Sequence, residues 1–515
     1  MLFAPMLALA APLCGALVLL MMVYVPPLHP YRRYGLPLGA GLSFLGVLFA
    51  PWEDLRPWIL SLWQPLALFG TFPVLQADRV VWPLALAWAG AVAGSALVQM
   101  GRPQALRQVV GEAVLLMLMF GLAALWGENL LMVLLAWAGF DLFWGIGMAA
   151  AGLPAERVAW GVGSGMIATA LLWLGALLLE KTGSGFSWSL MAPTGWGGTV
   201  LLVAALIRLG VYPFHLMVPA EVRRGRPAAA ALLLEPMLAW GLLARMTAQA
   251  GIPIPAWIGL EVLAMATWLI GSVLAWATED PDQRVVWVGW AAAGGVLWAG
   301  LRAGGSAAWS AGGAAWALGL ALLYLGRGWE RAAPGWTAAS LIGGLALLAA
   351  PLASGGVLSP PDGLRGALYL LGQALLTAAV AKDVLRPAGQ EEPVGVLPSI
   401  ARATGLMVLA LVLILAWSAA PRAAPNGMEW GGWVAGGLLG GGLLALETRR
   451  TWPGRRTSSA VVDILRWEWA GRLLAQSMER VAAFLDAVAD VAEGPGAVLW
   501  ALATSLLILM VVMGR

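Results

Sequence analysis

Long apolar segments recur along the whole chain, and mostly short polar connections separate them. We predict about sixteen membrane-spanning segments, because each is close to the roughly 20 residues that a helix needs to cross the hydrocarbon core. The segments are residues 2–25, 34–51, 80–100, 107–125, 129–152, 158–180, 197–219, 227–249, 255–277, 284–302, 306–326, 336–357, 365–385, 400–421, 430–447 and 496–514. The pattern therefore predicts an all-α polytopic membrane protein.

Residues 458–493 follow a different pattern. Apolar side chains alternate there with charged ones at helical spacing, which predicts an amphipathic helix on the cytoplasmic membrane surface. Two interpretations stay open. The helix lies on lipid without a specific partner, or it is a lateral brace against neighbouring subunits.

The basic residues orient the chain. Most of them follow the odd-numbered segments, so the positive-inside rule places those connections in the cytoplasm and the N-terminus outside. The first segment, 2–25, lacks a charged n-region and a cleavage site, which indicates a retained helix. We predict a multi-pass protein of the bacterial plasma membrane, in which Arg245, Arg284 and Lys382 anchor helices at the membrane interface.

Composition excludes several classes of protein. The chain is 61% hydrophobic and 11% charged, against about 25% charged in soluble domains. Its one cysteine, Cys14, excludes a disulfide framework, and its two histidines show no metal-ligand spacing. A net charge of +3 does not imply nucleic acid. We therefore expect no cofactor and no metal.

The segment Arg208–His215 places a cation and a histidine within an otherwise apolar stretch, with Pro213 between them. A charge in hydrocarbon is costly unless it is paired or faces a hydrated cavity, so such residues indicate function. Proline removes a helix hydrogen bond, which suits a broken helix beside a polar path. Pro236, next to Glu235, predicts a second break.

Several segments together resemble the antiporter-like membrane subunits of respiratory complex I, membrane-bound hydrogenases and multisubunit sodium/proton antiporters. Residues 208–227 are similar to that family's K-x-x-x-x-P-x-H-x-W-x-P-D-x-x-x-x-A-P motif, with matches at Pro213, His215, Pro219 and Pro227. Residues 129–142 resemble its D-L-L-x-x-x-x-x-W-E-x-x-x-L motif. Further similarities lie at 181–184, 282–286 and 493–500, in the family's order.

This chain also differs from that family at positions that carry the family's proton path. In the family, a helix-five glutamate pairs with a helix-seven lysine, and further lysines continue a hydrated proton path. Here the glutamate position is Ala138, with Asp141 as a stand-in, and the lysine position is Arg208. Neither the segment around Glu235 nor residues 350–357 contain a lysine. The resemblance therefore implies a degenerate relay.

Arginine stays protonated and cannot relay protons, whereas a buried lysine can lose its proton near neutral pH. We expect Arg208 to be a fixed cation neutralised by Asp141 or Glu235, although Asp141 solvated at a helix end is also compatible with the sequence. Glu235 has a second candidate partner in Arg245. His215 either titrates or is a helix-end histidine bonded to the backbone.

The resemblance implies two inverted five-helix repeats within a membrane arm. We predict N-terminal helices at 1–106, a first repeat at 107–249, a second, degenerate repeat at 255–421, an additional helix at 430–447, the lateral helix at 458–493 and a last helix at 496–514.

The leading hypothesis is a mainly structural or coupling subunit of a redox-driven proton-translocating complex, resembling complex I or a membrane-bound hydrogenase. Its partners would be other membrane-arm subunits and the lipid bilayer, with protons or Na⁺ as the candidate ions. The alternative is a stand-alone secondary cation/proton transporter, which also uses broken helices and midplane charges.

Overall fold

The computed structural model describes residues 3–52, 57–59, 72–100, 109–180, 188, 195–217, 227–250, 258–326, 334–354, 363–385, 396–419, 427–449, 465 and 480. The chain divides into two compact units, Met1–Pro453 and Gly454–Arg515. In the second unit the description covers only Leu465 and Arg480. Apart from these two residues, the predicted lateral helix at 458–493 and the last predicted segment at 496–514 lie outside the described residues.

Fifteen α-helices lie in the described part of the first unit. They are α1 (Phe3–Tyr24), α2 (Arg32–Phe49), α3 (Trp82–Met100), α4 (Val110–Trp126), α5 (Leu130–Ala150), α6 (Ala155–Glu180), α7 (Trp196–Arg208), α8 (Met237–Ala250), α9 (Ile258–Ala277), α10 (Pro281–Ala303), α11 (Ser306–Gly326), α12 (Pro334–Ala353), α13 (Leu364–Val384), α14 (Val396–Ala419) and α15 (Gly427–Arg449). Four 3₁₀ segments join them at Pro26–Tyr31, Ala50–Trp52, Phe214–Met217 and Pro227–Leu234.

Each of the first fifteen predicted segments overlaps one of these helices, with bounds that differ by a few residues in most cases and by ten or more at the broken segments 197–219 and 227–249. Ten helical segments in the described ranges are long and apolar enough to cross a membrane, and four more apolar helices are shorter. This supports an all-helical, multi-pass membrane protein. The number of sixteen spans and the two inverted repeats stay predictions.

The middle of the first unit is built from helices that are apolar on every side. Helix α3 is 89% buried along its apolar stretch, and the apolar stretches of α10, α11 and residues 230–248 are each 94% buried. By contrast, α1 is only 28% buried, with large apolar side chains such as Phe3 and Tyr24 exposed. A helix that is apolar all round belongs in a core or in lipid, so the inner helices make the core and α1 presents its side chains to the outside.

A short antiparallel strand pair is the exception to the helical pattern. Strands β1 (Trp58–Ile59) and β2 (Val74–Leu75) pair within the connection between α2 and α3, and Leu75 forms a further bridge to Gly127. Because the sequence predicted only a connection at 52–79, this small sheet was missed.

Arg245 on α8 holds the segment that follows β2. Its Nη1 lies 2.7 Å from Asp78 and 3.3 Å from Glu128, and its Nη2 donates to the Leu125 and Gln76 carbonyl oxygens. The side chain is 2% exposed. The prediction of an interface anchor at Arg245 is therefore wrong, because carboxylates and carbonyls distant in sequence enclose the guanidinium.

Arg284 is buried in a second ion pair. Its Nη1 lies 2.8 Å from Asp383 near the end of α13, and its Nε and Nη2 donate to the Thr278 carbonyl oxygen. The prediction of an interface anchor is wrong here too. Lys382 donates from Nζ to the Trp276 carbonyl oxygen at 3.1 Å and lies over the indole of the same tryptophan.

Candidate functional site

Helix α7 ends at Arg208, where the sequence interrupts the helical path. Gly210 adopts a left-handed conformation with φ +64°, which residues with a Cβ rarely adopt, and the Tyr212–Pro213 peptide bond is cis. Pro213 has no N–H to continue a helix, and the chain resumes as the 3₁₀ segment Phe214–Met217. The break places the Arg208 guanidinium at a helix C-terminus, where the macrodipole favours a cation.

A second interruption brings Glu235 to the same place. The 3₁₀ segment Pro227–Leu234 ends just before it, and α8 begins at Met237, with the Glu235 carbonyl oxygen accepting from the N–H of Leu238. Pro236 precedes α8 where a missing N–H costs no helix hydrogen bond. The Glu235 carboxylate therefore lies at a helix N-terminus, which favours an anion.

Arg208 contacts both candidate carboxylates at once. Its Nη2 lies 2.7 Å from both Asp141 carboxylate oxygens, and its Nη1 lies 3.2 Å from Glu235 Oε1. The Arg208 side chain is fully buried, and those of Asp141 and Glu235 are 7% and 12% exposed. We call these three residues the ion cluster.

Two neutral side chains complete the surroundings of the guanidinium. The Thr169 hydroxyl on α6 accepts from Arg208 Nη2 at 3.0 Å and donates to Asp141 at 2.9 Å. The guanidinium also lies over the indole of Trp137, 4.2 Å from the ring centre, at cation–π distance. Opposite charge, hydrogen bonding and the ring face together offset the cost of burying a cation.

Gly165 on α6 makes the close approach of Asp141 possible. A Cβ at this glycine would lie 2.6 Å from Asp141 Oδ1, inside the contact distance of any carbon and oxygen. The missing side chain therefore lets α5 bring its carboxylate against α6 and onto Arg208.

A cavity of about 40 Å³ borders the ion cluster on the side of α10. That volume holds about three water molecules by the usual space requirement of one water. Arg208 and Glu235 are the only ionisable residues among its described lining, and Ser164 adds a hydroxyl. Arg208 Nε has no acceptor among the described residues.

The wall opposite the ion cluster is apolar. It is formed by α10 and α11, through Val286, Gly289, Trp290, Ala293, Trp316 and Leu320. Among the described residues of this wall there is no ionisable side chain that could exchange a proton with Glu235.

Asp141 also borders a groove of about 510 Å³ between α5 and α6. Ala138, the position of the family's glutamate, lines the same groove together with the exposed Leu142 and Met166. The ion cluster therefore lies between an outer groove and an inner cavity.

His215 lies apart from the ion cluster. It is 2% exposed, and its ring packs against Tyr212 and Trp290, each 5.0 Å away between ring centres, and against Trp287 at 6.2 Å. It is not among the described residues that line the cavity. Of the four titratable or charged candidates, the structure brings together Asp141, Arg208 and Glu235 and leaves His215 within an aromatic cluster.

Sequence reasoning missed the neutral members of the site. Trp137 precedes Asp141 by four residues, so helical spacing alone places the two on one face of α5. Thr169 gives no comparable signal, because its role depends on how α6 packs against α5. The structure also decides between the two partners considered for Glu235: the contact is with Arg208, not with Arg245.

The described residues contain no group of three or more histidine, cysteine, aspartate or glutamate side chains that could hold a metal ion. The ion cluster supplies two carboxylates, but its guanidinium occupies the position between them. The site as described is therefore a buried set of charges beside a small cavity.

The sequence matches no protein-family model and no curated protein. Similarity to solved structures is extensive. A chain of the membrane-bound sulfane sulfur reductase, an archaeal respiratory membrane complex, superposes with a TM-score of 0.68 at 14% identity, covering 99% of this chain and all of that one.

A chain of the Mrp complex from Dietzia sp. DQ12-45-1b superposes with a TM-score of 0.70 at 17% identity over 99% of this chain, which spans 62% of that longer chain. A chain of respiratory complex I from Thermus thermophilus is also similar, at 19% identity and a TM-score of 0.48. On the first two of these structures, the resemblance that the motifs indicated extends to the fold.

Proposed function

We propose that this chain is an antiporter-like membrane-arm subunit of a redox-driven, proton-translocating complex, with a mainly structural or coupling role. The observation that carries the proposal is a fold shared along 99% of the chain with chains of two membrane complexes. A chain that retains this fold over its whole length is expected to retain the neighbours that the fold packs against.

The ion cluster supports a coupling role better than a relay. Arginine keeps its proton at any physiological pH, so Arg208 acts as a fixed charge. With both carboxylates ionised the ion cluster carries a net charge of −1, which is costly in a buried site. A single proton on the cluster removes that charge, and Glu235 is the carboxylate that faces the cavity.

The surroundings of the ion cluster support the same conclusion. A relay needs a series of titratable groups within reach of one another or of bridging water. Here the described wall beyond Glu235 is apolar, and His215 lies behind aromatic rings. A proton bound at Glu235 therefore changes the local field without a described group to receive it next.

Purification of the native protein in a mild detergent tests the assignment. We expect it to be recovered with other membrane subunits and a redox-active arm, which mass spectrometry and an iron and acid-labile sulfide assay would identify. Recovery as a stable monomer or homodimer would contradict the proposal and favour the stand-alone cation/proton transporter.

The absence of an obligatory proton path through Glu235 has a separate test within the purified complex. Glu235→Gln removes the proposed proton site and keeps the shape of the side chain. We expect the redox reaction to continue while proton pumping per electron stays close to the wild-type ratio, because other subunits carry the pumped protons. A complete loss of pumping with unchanged electron transfer would instead make Glu235 a member of an obligatory proton path.

A further inference from the structure

Trp290 on α10 touches two groups that the fold otherwise keeps apart. Its side chain lines the cavity that Glu235 borders, and its ring lies 5.0 Å from the ring of His215. Trp290 is 3% exposed, so its side chain is shielded from lipid and from bulk water.

The indole is fixed in this position from several directions. Its Nε1 donates to the Gly210 carbonyl oxygen at 2.5 Å, within the break that follows Arg208. Trp287, one turn earlier on α10, packs edge-on against it with ring centres 5.5 Å apart. A side chain held by a buried hydrogen bond and a ring contact stays in one rotamer. The indole therefore keeps a fixed position between the cavity and the His215 ring.

From this arrangement we propose that Trp290 is a plug that separates the cavity at Glu235 from His215. The inference rests on the proposed function only where it treats Glu235 as the proton-bearing carboxylate. A carboxylate and an imidazole joined through water can exchange a proton, whereas an indole packed between water and the imidazole interrupts the hydrogen-bonded chain.

Removal of the plug has a defined structural consequence. Trp290→Ala deletes the indole and leaves its volume beside a cavity that already borders a guanidinium and a carboxylate. Polar cavities of sufficient size fill with water, whereas apolar ones stay dry. The water would then reach the imidazole of His215.

The chain itself provides a readout for water at His215. It contains only two histidines, His29 and His215, and His29 lies on an exposed 3₁₀ segment. Exchange of the imidazole C2 proton with deuterium, followed by mass spectrometry of the full-length protein in detergent, reports each histidine separately. His29 is the internal reference.

In the wild type we expect His215 to exchange several-fold more slowly than His29. In Trp290→Ala the His215 rate should rise several-fold while that of His29 stays constant. Trp290→Phe, which loses the hydrogen bond to Gly210 but keeps an aromatic ring, should stay close to the wild type.

Trp298→Ala is the matched control, since it removes an equally buried indole from the same helix, one that stacks on Tyr369 instead. An unchanged His215 rate in a Trp290→Ala protein that keeps its helical circular dichroism and elution volume would overturn the proposal. An equal rise in Trp298→Ala would also overturn it, because general loosening of α10 would explain both results.

A second arm separates this inference from the proposed role of Glu235. Full-length protein in liposomes with an entrapped pH-sensitive dye should show several-fold faster proton entry for Trp290→Ala under a potassium diffusion potential. The double variant Trp290→Ala, Glu235→Gln should return to the wild-type rate. If His215 exchanged faster in Trp290→Ala, but proton entry were equally fast in Trp290→Ala and in the double variant, the plug would be confirmed. Only the role of the Glu235 carboxylate would then be contradicted.

Discussion

Arg208 binds two carboxylates with the two arms of one guanidinium, a geometry that lysine cannot reproduce. Nη2 meets both oxygens of Asp141, and Nη1 meets Glu235. A lysine offers one compact charge on a flexible stem, whereas the planar fork of arginine matches carboxylates and never loses its proton. At the residue scale, the arginine at this position is a fixed clamp and not a titratable site.

Removal of the clamp should be costly. Arg208→Ala leaves two carboxylates buried without a cation, and the loss of one partner of a buried ion pair typically costs about 3–5 kcal/mol. We expect a clearly lower thermal transition in detergent, measured by tryptophan fluorescence. Arg302→Ala, an exposed residue that contacts only the Trp298 ring among the contacts described, is the control and should melt close to the wild type. Equal transition temperatures for Arg208→Ala and Arg302→Ala would contradict the stabilising role of the ion cluster.

The origin of this loss can be tested by removing all three charges. A variant with Arg208→Met, Asp141→Leu and Glu235→Leu strands no charge, and apolar replacement of a buried ion pair is often neutral or stabilising. We expect the triple variant to melt above Arg208→Ala in the same assay. A triple variant less stable than Arg208→Ala would show that hydrogen bonds of Asp141 or Glu235 to other groups dominate.

At the scale of elements, the site is made where helices stop. The C-terminus of α7 and the region before the N-terminus of α8 face one another through Arg208 and Glu235, so each charge lies at the helix end that favours it. Asp141 comes instead from within α5, and it reaches Arg208 only because α6 carries no side chain at Gly165. The arrangement therefore depends on two breaks and one close helix contact.

Gly165→Ala should separate Asp141 from Arg208. The added methyl would lie 2.6 Å from the carboxylate, and over-packing of this kind costs about 1–3 kcal/mol. Thermal unfolding in detergent measures the loss.

Gly163→Ala is the control for this substitution. It lies two residues earlier on α6, where an added Cβ meets nothing within 4 Å. Because alanine favours a helix over glycine by about 1 kcal/mol, this variant should be as stable as the wild type or slightly more stable. A destabilised Gly163→Ala protein would mean that α6 tolerates no substitution, and the argument from the carboxylate would fail.

At the scale of the whole first unit, buried ion pairs tie together parts of the chain that are far apart in sequence. Arg245 on α8 holds the segment after β2 and the start of α5 through Asp78 and Glu128. Arg284 joins α10 to Asp383, 99 residues later. Such contacts determine how the helices pack against one another. They do not determine whether each helix forms.

Arg245→Ala should loosen the small sheet more than the helices. We expect amide hydrogen exchange in residues 72–78 to accelerate several-fold, because Asp78 and the Gln76 carbonyl oxygen both lose their buried donor. Exchange in α10 should stay unchanged, which serves as the internal control. Acceleration spread evenly along the first unit would contradict a local clamp.

The helices could be predicted from sequence because an apolar run of membrane length has few alternatives to a helix. The break after Arg208 was visible at Pro213, which acts through its own backbone chemistry, whereas the contribution of Gly210 emerged only from the structure. The partners of the buried arginines were less accessible. Asp141 and Glu235 were both proposed for Arg208, but their simultaneous contact depends on the packing of α5, α6 and two broken segments.

Arg245 and Arg284 were predicted wrongly for the same physical reason. A basic residue near a helix end fits an interface anchor by sequence alone, and only the fold shows that Asp78 and Asp383 lie within reach. The cavity was also invisible in the sequence, because residues from several helices contribute its wall.

The apolar face that α10 turns toward Glu235 has an energetic consequence for any complex built around this chain. Moving one elementary charge against 100 mV costs about 2.3 kcal/mol, and a redox reaction must supply that amount for every ion it drives across. On the proposed function, no pumped proton crosses this subunit. The redox reaction of a membrane arm that contains it therefore drives protons through one subunit fewer. Such a complex could conserve energy from electron donors and acceptors whose potentials lie closer together.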